Sequence, residues 1–94
     1  MAEITRQNIV EYLEFIYDKM VESYGDIILN EVKVIIERLR RDSTVTTVKS
    51  CVNDLQVICD VLEHKYHDDD LVIEFQLRIN ELADLFNVSV EIEE

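Results

Sequence analysis

The chain has 94 residues, 21 of them acidic and 9 basic, for a formal net charge of −12, with no proline and one glycine, Gly25. That length suits one domain spanning residues 1–94, the 48% apolar content argues against disorder, and the shortage of glycine and proline excludes the turn-rich architectures of all-β domains. The charge excludes direct binding to nucleic acid or to anionic membrane, both of which require Lys and Arg to displace counterions.

The charge is unevenly placed. Residues 68–94 carry nine acids against one base, residues 1–25 five against two, residues 26–42 four against four, and residues 43–67 three against two. A basic protein surface, including one that itself holds nucleic acid, is the natural complement to such ends.

In chain order, the first amphipathic segment runs from about Thr5, a candidate N-cap, to Tyr24, with Ile9, Leu13, Ile16, Tyr17, Met20, Val21 and Tyr24 recurring at helical spacing. Gly25 ends it. Asp26 is placed to cap a second helix reaching about Arg41, whose inner face is Ile28, Val32, Ile35, Ile36 and Leu39. Its last turn carries Arg38, Arg40 and Arg41, suited to the negative end of the helix dipole or to an acidic face of a second copy. Asp42, Ser43 and Thr44 then make a turn and cap a third helix to about His67, with Val48, Val52, Leu55, Cys59, Leu62 and Tyr66 inward. The run Asp68, Asp69, Asp70 presents acids to the start of a fourth helix, Leu71 to about Phe86, burying Leu71, Phe75, Ile79, Leu82 and Phe86. After Asn87 the alternation of Val88, Val90 and Ile92 with Ser89, Glu91 and Glu93 reads as an extended tail, one able to fold back, fray, or add as a strand to a partner's sheet edge. Short connections between these segments predict an all-α, antiparallel helical bundle of about four helices. A packed terminal helix or a helix-swapped dimer would use the same pattern.

Two kinds of residue stand outside the core pattern. Glu11, Glu14, Asp18 and Glu22 form a ladder along the first helix, each about 5–6 Å from the next. Carboxylates at that interval suit the phosphate subsites of a basic groove, as an inhibitor that mimics nucleic acid requires; the alternative is an ordinary solvated helix face. Phe15 lies among these acids, and Asp68, Asp69 and Asp70 extend the candidate partner-binding surface. Val57 and Val61 on the third helix, beside His64, and Ile73 and Leu77 on the fourth, flanked by Glu81 and Asp84, fall outside the inward stripes. They make a candidate interface between copies or with another protein, or mark helices buried on two sides.

Residues with chemical potential do not assemble into a motif. His64 and His67 share a helix face ahead of the Asp run, yet nothing completes a ligand set, so no metal and no cofactor are assigned. Cys51 and Cys59, eight residues apart on one helix, lie about 12 Å apart along its axis and cannot pair with each other; they read as buried thiols, the alternatives being an intermolecular bridge or a reactive thiol. Pairings such as Cys59 with His64, or Ser50 with a histidine, lie on one helix without an oxyanion-forming turn, and a single glycine excludes a phosphate loop. The first residues lack the basic start and apolar run of a secretory signal, and no stretch is apolar enough to span a bilayer, so a soluble chain in the cytoplasm, including a host's, is expected.

The expectation is therefore a non-enzymatic acidic interaction module that inhibits or modulates a basic, nucleic-acid-handling partner. Phage or mobile-element counter-defence is a natural setting. The alternative is a homo-oligomeric structural or assembly protein whose charge serves solubility.

Overall fold

The computed structural model describes residues 6–42 and 44–86. Four helices follow in order, α1 (Arg6–Tyr24), α2 (Leu29–Arg41), α3 (Val45–Lys65) and α4 (Asp70–Leu85), and the described residues include no strand. Each helix packs on its chain neighbours, and α1 closes on α4, while the diagonal pairs α1 with α3 and α2 with α4 stay apart. The helices thus form a ring around one core. Neighbours run antiparallel: Arg40, at the end of α2, meets Glu14 in the first half of α1, and Arg38 reaches Ser50 early in α3; of the diagonal pairs, α1 and α3 touch at one end, where Tyr24 stacks on Tyr66 just past α3. The all-α bundle expected from helical periodicity and short connections is the fold observed.

The core is continuous. It takes Ile9, Val10, Leu13, Ile16 and Met20 from α1, and Leu29, Val32, Ile35, Ile36 and Leu39 from α2. From α3 come Val48, Cys51, Val52, Leu55, Ile58, Cys59 and Leu62, and from α4 Val72, Phe75, Ile79, Leu82 and Ala83. Val10, Leu29, Ile58, Val72 and Ala83 were not among the expected inner residues, whereas Cys51, expected as a buried thiol, is buried. Every helix in the ring packs against two neighbours, so its buried arc is wider than a single i, i+3/i+4 stripe. Conversely Val21, expected inward, is exposed, and Tyr17, Tyr24, Tyr66, Leu71 and Phe86 are half-buried at the core's margin.

The connection into α2 differs from expectation for a local reason. The Asp26 carboxylate accepts the Ile28 N–H at 3.1 Å, and the carbonyls of Asp26, Ile27 and Ile28 accept from Leu29, Asn30 and Glu31, three residues on. This tight turn delays the helix to Leu29. As a result Ile27 faces solvent, Ile28 is only half-buried, and Leu29 takes the core position.

The other boundaries follow capping chemistry. The Thr44 hydroxyl accepts the Thr47 N–H at the start of α3, and the Asp42 carboxylate accepts from the Thr44 N–H at 3.0 Å and from the Thr47 hydroxyl at 2.7 Å. These donors hold the Asp42 carboxyl below its ordinary pKa, the Thr44 amide first. Helix α3 stops at Lys65, slightly earlier than expected, and Asp68 reverses the chain at φ 57° before Asp69 caps α4 by accepting the Leu71 N–H at 2.9 Å. Gly25 has φ 59° and its missing Cβ would meet nothing within 4 Å, so the backbone angle alone favours glycine there. The expected cap at Thr5 and the expected extended tail lie outside the described residues.

Candidate partner-binding surfaces

The acidic ladder of α1 borders the groove between α1 and α2. Glu11, Asp18 and Glu22 are exposed, while Glu14 turns toward α2 and meets Arg40 at 2.9 Å. Glu14, Tyr17, Asp18, Lys33, Ile36, Glu37 and Arg40 line this groove, so α2 supplies cations to the same surface. Two of the arginines at the end of α2 are used within the chain: Arg38 reaches Asp54 at 3.4 Å and the Ser50 hydroxyl at 3.3 Å on α3, and Arg40 reaches α1. They tie the α2 terminus to both neighbours. Such exposed pairs contribute little stability each, and they compete with an external basic partner for Glu14.

On the other flank of the ladder, Phe15 is 58% exposed and meets Tyr12 edge to face, with ring centroids 6.2 Å apart. Lys19 lies over the Phe15 ring and Arg78 over the Tyr12 ring, the latter 4.7 Å from the centroid. Sequence reasoning missed Tyr12. The available signal was the spacing of Tyr12, Phe15 and Lys19, three and four residues apart.

The seam between α3 and α4 is organised by amides. Gln56 and Gln76 exchange hydrogen bonds in both directions, at 2.8 and 2.7 Å, and each donates onward, Gln56 to Asp60 and Gln76 to Asn80. Beside this ladder the Cys59 thiol points at the Val72 carbonyl, 3.9 Å away. A cleft opens near the α4 start, lined by Glu63, Asp68, Asp69, Val72, Ile73, Gln76 and Leu77. Its volume is about 180 Å³, smaller than the roughly 300–1,000 Å³ of typical small-molecule sites.

This geometry separates the four candidate interface residues. Ile73 and Leu77, 49% and 45% exposed, line the cleft. Val57, 63% exposed, and Val61, half-buried, lie on α3 and are not part of its wall. The acids are divided too: Asp68 and Asp69 line the cleft, Asp69 is half-buried by its capping role, and Asp70 is exposed in the first turn of α4.

At the end of the bundle where α1 and α3 finish, Tyr24 and Tyr66 stack with centroids 4.0 Å apart and planes 5° from parallel. The Asp26 carboxylate accepts from Lys65 Nζ at 2.9 Å and from the Tyr66 hydroxyl at 3.1 Å. Lys65, then the Ile28 amide, hold the Asp26 carboxyl below its ordinary range, and Asp26 in turn raises the Lys65 pKa. The Tyr24 hydroxyl is a buried atom without a hydrogen bond of good geometry; burial first, then the adjacent Asp69 carboxylate, push its pKa up. This cluster reads as a structural latch.

Both cysteines are buried and unpaired with each other, and burial pushes the Cys59 thiol up to about 12. A thiol so held is a poor nucleophile. His64 and His67 are exposed, with ring centroids 6.2 Å apart, and among the described residues no three His, Cys, Asp or Glu side chains converge as a metal site requires. No described helix is long and apolar enough to cross a membrane.

Comparison with known proteins finds no matching family model, curated protein or solved structure.

Proposed function

We propose that the chain is a non-enzymatic interaction module whose acidic surface occupies a basic surface of a partner protein and so inhibits or modulates it. One observation carries this reading. With 21 acids against 9 bases, twelve carboxylates would remain without a basic partner even if every Lys and Arg took one of its own. Such an excess creates a field that steers basic partners and repels nucleic acid.

The residues proposed to meet the partner are Glu11, Glu14, Phe15, Asp18 and Glu22 on α1 and Asp68, Asp69 and Asp70 at the start of α4. A partner that normally binds DNA or RNA fits the spacing of the α1 carboxylates, and phage or mobile-element interference with host machinery inside the cell is the setting proposed. A second reading, self-association in a homo-oligomeric assembly, draws its support from the exposure of Val57, Ile73 and Leu77.

The test is capture from the cells in which the chain is made, using the natural chain and a variant with Glu11, Glu14, Asp18 and Glu22 changed to glutamine. The expected outcome is a basic protein retained by the natural chain, released by rising salt, and lost from the variant. Equal capture with an unchanged salt dependence removes the α1 ladder from the interface. A chain that captures only itself favours the assembly reading.

A further inference from the structure

We propose that the α3–α4 cleft seats an apolar side chain of a basic, amphipathic segment of a partner protein, an inference that rests on the acidic-module reading and assigns it a specific anchor point. The floor and walls combine Val72, nearly buried, with Ile73 and Leu77, four residues apart on α4 and each about half exposed. The rim adds Glu63 from the last turns of α3 and Asp68 and Asp69 from the connection. Apolar surface at the centre with charge around it is the arrangement that protein hot spots adopt, an anchor in a pocket surrounded by a polar rim.

The sign of the rim identifies the occupant. The cleft lining holds Glu63, Asp68 and Asp69, the last already engaged as the α4 cap, and no Lys or Arg, whereas the α1–α2 groove holds Lys33 and Arg40 among its acids and already pairs Glu14 with Arg40 at 2.9 Å. The cleft therefore gains more from an incoming cation than the groove does. A second copy of the chain, itself at −12, would bring like charge to this rim. The volume suits one or two side chains rather than a cofactor. A segment with a leucine-like anchor and flanking Lys or Arg satisfies both requirements, since the aliphatic stems of those bases also cover Ile73 and Leu77 while their heads reach the carboxylates.

The experiment uses the full chain, labelled with ¹⁵N and titrated at physiological salt with two synthetic helical peptides of equal positive charge. One carries two leucines four positions apart among lysines; in the other both leucines are serine. The expected result is amide shifts centred on residues 63, 68, 69, 72, 73, 76 and 77, and affinity about tenfold higher for the leucine peptide. Ile73→Ser with Leu77→Ser should abolish that advantage, and Glu31→Gln, a charge change at an exposed α2 position away from the cleft and the α1 ladder, should keep it. Leu77→Lys, a change at a half-exposed site, gives an independent reading by placing a cation at the cleft, and should weaken the leucine peptide about as much. Equal affinity for the two peptides overturns the inference. So do shifts centred on residues 11–22, although these leave the acidic-module reading standing; failure of both peptides to bind even at low salt overturns both.

Discussion

Burial keeps the Tyr24 hydroxyl neutral, and the consequence is a pH dependence that one substitution can isolate. A tyrosine in the unfolded chain ionises near pH 10, and in the fold the pKa is higher, because the phenolate would be desolvated and would face Asp69. The neutral form's contribution is therefore fully present below about pH 10 and is lost as pH rises through the folded value. Tyr66, raised by burial and then by Asp26, and Cys59, pushed up to about 12, act in the same direction. Asp26 acts oppositely: its lowered pKa contributes stability above about pH 4 that is lost as pH falls through the folded value. Thermal melts followed by circular dichroism from pH 7 to 11 should show a falling Tm on the alkaline limb, and Tyr24→Phe should flatten it. At pH 7 the same variant removes a buried hydroxyl whose contact with Asp69 falls short of a well-formed hydrogen bond, so its stability should change by no more than about 1 kcal/mol. A loss of more than about 1 kcal/mol at pH 7 would mean that Tyr24 and Asp69 share a full hydrogen bond.

At the scale of elements, the pairing of α3 with α4 depends on a reciprocal amide contact as well as on apolar packing. Removing Gln56 leaves the half-buried Gln76 amide with Asn80 but without its partner across the seam, and removing Gln76 leaves Gln56 with Asp60 alone. In a double-mutant cycle by urea denaturation, Gln56→Ala and Gln76→Ala should show a coupling of about 0.5–1 kcal/mol, the range for a partly solvated hydrogen-bonded pair. Strict additivity would mean that the amides bind water equally well. This pair also shows what sequence periodicity cannot reveal. Helix number, the Thr44 cap and most core residues were legible because each depends on local spacing or local hydrogen bonds. Val10, Ile58, Val72 and Ala83 were not, since each helix packs against two neighbours and so buries a wider arc than one periodic stripe marks. The same limit applies to the candidate surfaces. The α1 carboxylates were visible as a ladder, but the Arg40 contact of Glu14 requires knowing which flank of α1 meets α2. Val57, Val61, Ile73 and Leu77 stood out equally by angle around their helices; only the packing of α3 on α4 puts the latter two in a cleft and the former outside it.

At the scale of the molecule, the question is what the surplus of twelve carboxylates is for. Solubility alone places no demand on where the charge lies. Docking does, because a partner must find carboxylates grouped near apolar anchors, as they are beside Phe15 on α1 and beside Ile73 and Leu77 at the α4 start. Zero-length carbodiimide cross-linking in lysate of the producing cells, read by mass spectrometry, reports directly which carboxylates touch which lysines. Docking predicts bonds from Glu11, Glu14, Asp18, Glu22 or residues 68–70 to lysines of one basic protein, disappearing in about 1 M salt, where the screening length falls to about 3 Å. Cross-links found only within the chain or between its own copies would contradict it.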